Sequence, residues 1–434
     1  MRFPATLAVM AVMALIAVPS FAQSPNTNDS AGVPSATMEE IITAVAKADL
    51  PALDQIYQQS PDPAVRTLVS MARERIHADF DKSSADAKSC EQSLIDSDLQ
   101  TALFCARFAI GNLRLAGREQ EANQTDLDKL QRFQSKLAPA QVERLRDFAS
   151  AHDHLPALNV QRPSGSFSIP LLYSERRERS GSLYEGSKRA IAVVANGHDT
   201  TMRVSTAGEY ITLDQDSARD LGVHMTDIHV HVNNALAKNI PAQYGILDKL
   251  IFGGVTVENA PVLVVRAPDR VIGIGILKYL GTFRITKDTI EVYGSGDQRP
   301  ASDYPMLIGS NVDGRNMRLL AAITIDGTPR LTLLNTGTPY YLTGNKAALA
   351  ELDTRFQGQV QTRDLGNVRH NAVIDRTMAN VVIGGQPMQM KFAVFADADV
   401  PWNYQLGRSA LQDMDFYFDF QNRRTALIPR GDLK

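Results

Sequence analysis

Two stretches of this 434-residue chain, about 130 residues apart, carry the same succession of motifs. The first runs through the turn signal Ala195-Asn196-Gly197, the apolar-to-small segment Met202-Arg203-Val204-Ser205-Thr206-Ala207-Gly208, the short run Tyr210-Ile211-Thr212-Leu213, and a helical stretch ending Asp220-Leu221-Gly222. The second runs through Ile325-Asp326-Gly327, Leu331-Thr332-Leu333-Leu334-Asn335-Thr336-Gly337-Thr338, Tyr340-Tyr341-Leu342, and a helical stretch over 347–352. Phe252-Gly253-Gly254 then answers Ile383-Gly384-Gly385, and Ile272-Gly273-Ile274-Gly275-Ile276-Leu277 answers Leu406-Gly407-Arg408-Ser409-Ala410-Leu411. A nearly constant offset over four blocks implies one architecture written twice.

That architecture is β. Short β-branched runs at 190–194, 210–213, 228–232, 255–257, 262–265 and 290–293 are separated by turn residues. Asn-Gly and Asp-Gly between apolar runs are the dipeptides that close two-residue hairpins. We expect one lobe over 169–295 and a second over 305–434, joined by a Gly-, Ser- and Pro-containing linker at 296–304. A further linker at 156–168 separates the first lobe from a different region.

Over 37–155 the period is helical. Ile41, Ile42, Val45 and Ala46 share one face, as do Val65, Leu68, Val69, Ala72 and Ile76, and then Leu99, Leu103, Ala106 and Ile110. Breaks at Asp49-Leu50-Pro51, Ser60-Pro61-Asp62-Pro63 and Ala138-Pro139-Ala140 predict a repeat-like array of α-hairpins without a clean consensus. Such an array offers a surface for a protein partner or braces a neighbour. Residues 1–22 combine Arg2, an apolar run and Ser20-Phe21-Ala22, the layout of a signal peptide. Residues 23–36 are a flexible leader rich in Ser, Asn, Pro and Thr.

Export fits the remaining chemistry. Cys90 and Cys105 are the two cysteines, which in an oxidising compartment predicts a disulfide between consecutive helices. A periplasmic or secreted protein is expected, with no membrane span beyond the leader. Lys plus Arg total 45 against 48 Asp plus Glu, so there is no basic excess to exploit counterion release from nucleic acid.

The order of blocks in the repeat resembles the retropepsin-like aspartic proteases, most closely in Leu334-Asn335-Thr336-Gly337-Thr338 and Leu406-Gly407-Arg408-Ser409-Ala410-Leu411. The resemblance covers about 169–429 and none of the helical region. It implies two closed six-stranded β-barrel lobes forming a pseudo-dimer with a substrate cleft between them, so that with the N-terminal α-helical hairpin array read from the periodicity the chain is multidomain, α then mainly β. It also implies that Thr206 and Thr336 brace the paired active loops, and that Thr206, Ala207, Gly208, Thr336, Gly337 and Thr338 line the substrate site.

The chemistry of that family needs two carboxylates sharing one proton. Here the second-lobe position holds Asn335. The first-lobe position is Ser205 in a register aligned on Thr206, or Thr206 in one aligned on Gly208, and the sequence allows both registers. No Asp or Glu occurs over 200–208; Asp199 and Glu209 flank the loop. An amide or hydroxyl cannot take a proton at any useful pH. The expected function is therefore a pseudoprotease that binds a peptide or protein between its lobes. An active aspartic endopeptidase with a non-standard dyad and a helical-repeat adaptor are the alternatives.

No cofactor or metal is expected. His229 and His231 share a strand face near His224, but their spacing supplies no third ligand. Gly273-Ile274-Gly275 lacks the third glycine of a dinucleotide loop, and Ser182, Ser310 and Ser409 lack a G-x-S-x-G frame. Trp402, beside Pro401 and Tyr404, is expected to pack, and His152-Asp153-His154 to be solvated.

Overall fold

The computed structural model describes residues 7–9, 15–16, 33–139, 142, 156–173, 189–233, 237–267, 269–301, 304–349, 356–395 and 402–430. Two compact units emerge: Val18–Leu158 with Leu307–Met317, and the remainder of the chain. Most of the expected signal peptide and leader, and His152-Asp153-His154, lie outside the described residues. Within 1–22 only the short strands Leu7–Val9 and Leu15–Ile16 are described.

Six described helices build the first unit: Ser35–Lys47, Leu50–Gln59, Pro63–Ile76, Phe80–Leu94, Leu99–Leu115 and Glu119–Phe133. Their starts are set by side chains. Asp49, Asp62 and Asp98 accept from the N–H groups of Ala52 (3.1 Å), Ala64 (2.8 Å) and Thr101 (3.1 Å), satisfying donors that have no partner inside the helix. Pro51 and Pro63 fall in first turns, where a missing N–H costs nothing. Ile41, Val45, Leu68, Val69, Ala72 and Ile76 are buried, as their spacing requires. Cys90 and Cys105 form a disulfide between the fourth and fifth helices, with Cα atoms 6.1 Å apart.

The helical unit has an eleven-residue guest from far along the chain. Leu307–Met317, placed by the sequence in the second β lobe, packs among the helices instead. The fully buried Arg75 lies over the Phe108 ring at 3.3 Å and donates to the carbonyls of Asn311 (2.9 Å), Val312 (3.0 Å) and Phe108, and to Asn112 Oδ1 (2.7 Å). Arg107 donates from two nitrogens to Asp313 Oδ1 (3.0 and 2.7 Å), and Arg114 donates to the Asp313 carbonyl (3.3 Å). Gly111 and Gly314 allow the backbones to touch: a Cβ on Gly111 would lie 2.2 Å from the Val312 carbonyl oxygen.

The second unit holds two barrels traced in the same order. In the first, strands close a ring in the sequence Ala190–Ala195, His198–Ser205, Arg270–Gly273, Ile211–Asp214, Val255–Val265, Ile240–Phe252 and back to the start. In the second the ring is Arg318–Ile325, Thr328–Asn335, Tyr404–Gly407, Leu342–Gly344, Gln386–Phe395, Arg369–Ile383 and back. Parallel and antiparallel pairings follow the same order around the two. The hairpins Asn196-Gly197 (φ 47° and 85°) and Asp326-Gly327 (φ 46° and 80°) place both central residues at positive φ, the turn that Asn-Gly and Asp-Gly favour. A five-stranded antiparallel sheet joins the lobes: Phe167–Pro170, Thr289–Val292 and Thr282–Ile285 from the first, Met414–Asp419 and Arg424–Pro429 from the second.

Some boundaries differ from the sequence reading. The runs at 255–257 and 262–265 are one strand, because Pro261 stays paired opposite Ile246. Ile240–Phe252 carries Asp248 and Lys249 on exposed positions and gives no alternating signal, yet its partners on both sides hold it as a strand. Asn159–Gln161, inside the expected linker, pairs with Thr256–Glu258.

The clamp on Leu307–Met317 has a pH signature. Burial works against ionisation of Asp313, but Arg107, Arg114 and Arg315 outweigh it and lower its pKa below the ordinary value. A carboxyl with a lowered folded-state pKa stabilises the fold above its unfolded pKa of about 4, and that contribution is lost as pH falls. Asp313→Asn should cost about 3 kcal/mol at neutral pH by leaving buried guanidinium groups short of charge. It should also flatten the acid side of the stability profile, as read by urea unfolding monitored by circular dichroism from pH 7 to pH 3.

Candidate functional site

The site forms where the strands His198–Ser205 and Thr328–Asn335 run out into loops. Thr206 Oγ1 donates to the Leu334 carbonyl (2.6 Å) and accepts from the Thr336 N–H (3.0 Å). Thr336 Oγ1 donates to the Val204 carbonyl (3.1 Å) and accepts from the Thr206 N–H (3.1 Å). Each hydroxyl thus uses its donor and an acceptor site on the opposite loop. Both threonines are buried.

This reciprocity sets the register between the loops. Thr206 answers Thr336, so Ser205 answers Asn335. The floor beneath each loop gives the same offset: the Ile274 N–H donates to the Gly208 carbonyl (2.8 Å) and the Arg408 N–H to the Thr338 carbonyl (3.0 Å). Gly273 and Gly407 make that approach feasible. A Cβ on Gly273 would lie 2.5 Å from the Gly208 oxygen, and one on Gly407 would lie 2.1 Å from the Tyr340 oxygen. Neither Ala207 nor Gly337 adopts positive φ, so the alanine in the first loop meets no conformational penalty there.

Ser205 and Asn335 are 3% and 2% exposed. Ser205 Oγ accepts from the N–H groups of Gly208 (3.1 Å) and Ala207 (3.4 Å). Asn335 Oδ1 accepts from the Gly337 N–H (3.0 Å), and its Nδ2 donates to Gln405 Oε1 (3.1 Å). Gln405 was missed in the sequence; its signal was a polar residue in the strand Tyr404–Gly407, between buried Tyr404 and Leu406.

The flanking carboxylates are engaged or remote. Asp199 is exposed at the hairpin end of its strand, opposite Val194. Six residues of extended chain separate it from Ser205, about 20 Å. Glu209 interacts electrostatically with the buried Arg318, whose pKa burial lowers to about 10 against the pull of that carboxylate. Arg318 also lies 6.0 Å from the Trp402 ring, and Trp402 is buried, consistent with packing. Of the histidines, His224 contacts Asp248 (3.0 Å), and no group of three potential ligands occurs among the described residues.

The tip of the second-lobe hairpin, between Phe356–Arg363 and Arg369–Ile383, reaches the first lobe. Leu365, 5% exposed, packs with Val232, Ile240, Ala242, Tyr244, Leu263 and Val265. Its carbonyl accepts from the Ala267 N–H (2.8 Å). Asp364 shapes the tip, accepting from the Val368 N–H (2.9 Å) and contacting His370 Nε2 (2.8 Å).

No protein-family model matches the chain, and no curated protein does. Among solved structures, it is similar to an aspartic proteinase from Irpex lacteus (12% identity, TM-score 0.40, covering 62% of this chain and 98% of that one). It is also similar to Basic 7S globulin from soybean (11%, 0.36, 61% and 95%) and a retropepsin-like aspartic protease from Rickettsia conorii (19%, 0.21, 31% and 92%).

Three substitutions test the local energetics. Thr206→Val keeps the shape but leaves the Leu334 carbonyl and the Thr336 N–H without partners, at a cost of roughly 3 kcal/mol. Thr206→Ser should retain most of the stability; Trp402, the single tryptophan, reports unfolding in the same unit. Leu365→Ala should speed hydrogen exchange at the Ala267 amide about tenfold or more, by weakening the burial that holds the tip down.

Proposed function

We propose that the two-lobed unit is a protease-like scaffold that binds an extended peptide or protein segment without cleaving it. The observation that carries this reading is the pair Ser205 and Asn335. They stand immediately before the two bracing threonines, and each spends its oxygen on N–H groups of its own loop. Hydrolysis of a peptide bond at this site would need one group to take a proton from water and another to deliver one. A neutral hydroxyl and a neutral amide do neither at useful pH. Binding asks less. Hairpin edges and apolar walls recognise extended chains through backbone pairing and side-chain pockets, and the wall around Leu365 supplies the apolar part. Entry of a ligand there requires the Leu365 tip to lift.

The same reading makes the protein exported. The disulfide between Cys90 and Cys105 supports an oxidising compartment, and no described helix is long and apolar enough to cross a membrane. A protein partner on the helical unit would use a face other than the arginine groove, which Leu307–Met317 fills.

The full-length protein incubated with casein and a mixed peptide library between pH 3 and pH 7 should release no fragments above background. Cleavage that is blocked by pepstatin and abolished by Asn335→Ala, Ser205→Ala or Glu209→Gln would establish an active endopeptidase with a non-standard dyad and overturn the proposal.

A further inference from the structure

The hydrogen bonds around Ser205 and Asn335 fix which hydrogens of the site remain unspent. A backbone N–H can only donate, so the Gly337 N–H (3.0 Å) identifies the Asn335 atom it meets as oxygen. The other end of the Asn335 amide is then NH2, and the Gln405 atom it meets at 3.1 Å must be oxygen. Gln405 is left with both N–H bonds of its Nε2. Ser205 follows the same logic: its oxygen accepts two backbone N–H groups, which leaves its own proton to give away. Among the described residues none of these remaining hydrogens meets an acceptor. The nearby carbonyls of Val204 and Leu334 already take the threonine hydroxyls, and the Glu209 carboxylate interacts with Arg318.

The centre of the site is therefore a set of donors without a counterpart: the Ser205 hydroxyl, the second N–H of Asn335 and both N–H bonds of Gln405. Ser205 and Asn335 belong to different lobes and stand at equivalent positions on either side of the threonine exchange. We propose that this centre is a carboxylate-binding site, and that the ligand is the free C-terminus of a peptide whose apolar side chains take the place of Leu365 against the buried Val232, Ile240, Tyr244 and Leu263. Two oxygens match donors supplied from two lobes, and donor hydrogens held in place by a folded scaffold favour an anion more than a neutral carbonyl. Two ionised carboxylates at the same positions would repel that ligand; the neutral hydroxyl and amides attract it. The inference rests on peptide binding between the lobes and names the group that the site recognises.

The test uses the full-length protein and two probes, N-acetyl-Leu-Phe-Val with a free carboxylate and the same tripeptide as its C-terminal amide. Calorimetric titration at pH 7 should show the acid binding at least tenfold tighter than the amide. The side-chain amide 15N resonances of Asn335 and Gln405 should shift with the acid and not with the amide. Gln405→Leu and Ser205→Ala should each erase most of the preference, weakening the acid far more than the amide, because the charged carboxylate gains more from each donor. Asn335→Asp, which puts a charge among the donors, should reverse it. Equal affinity of the two probes in the unmodified protein would overturn the carboxylate site and leave peptide binding standing. Absence of binding by either probe at millimolar concentration would overturn both.

Discussion

Two threonine side chains exchanging four hydrogen bonds across the lobe boundary determine where everything else in the β unit stands. Each Oγ1 takes an N–H from the facing loop and gives its proton to the carbonyl two residues before the facing threonine. These bonds are buried, so breaking one strands a polar group away from water, which costs more than the bond contributes by forming. The exchange also specifies position. Because each threonine bonds both to its counterpart and to the residue two before it, the loops cannot slide by one residue without losing all four contacts. The glycines below, Gly273 and Gly407, then let each loop rest against its own barrel floor.

None of this uses the side chain that precedes the threonine. The brace consists of backbone groups and two hydroxyls, while residues 205 and 335 bond within their own loops. Scaffold and chemistry are therefore separable in this architecture. A pair of carboxylates at these positions would bring a charge problem, since two like charges in close proximity cannot both ionise. Serine and asparagine satisfy the same loop N–H groups as neutral acceptors and bring no such problem. The chain holds the threonine brace together with groups that store no proton-transfer capacity, and the proposed binding role rests on that combination.

Much of this was legible in the sequence because its causes are local or periodic. Asn196-Gly197 and Asp326-Gly327 announce their turns, Asp49 and Asp62 their helices, and the offset near 130 residues announces two like lobes. The first-loop register was not legible: Ser205 and Thr206 are both small and hydroxylic, and only a partner 130 residues away distinguishes them. Gln405 was overlooked because a single polar residue in a short strand has no pattern; its meaning comes from the amide it faces. Leu365 sits beside Asp364 and Gly366 in what reads as an ordinary turn, and nothing local says that the leucine is buried on the other lobe.

The placement of Leu307–Met317 escaped the sequence for a different reason, and it bears on how the helical unit becomes stable. Arg75, Arg107 and Arg114 read as ordinary helix-surface charges, since helices tolerate arginine well. Most acceptors of Arg75 are main-chain carbonyls, which every residue possesses and no pattern marks. Until residues 307–317 arrive, Arg75 has only Phe108 and Asn112 to bond, and Gly111 faces no backbone. A fully buried guanidinium so poorly satisfied is costly, so the groove is complete only once a segment some 200 residues later has been synthesised and seated. The entropy of closing so long a loop grows only logarithmically with its length, and several charge-assisted bonds around Asp313 oppose it. The helices are thus a unit in space without being an independent unit in sequence, and their final packing must follow the chain that separates them from their own last element.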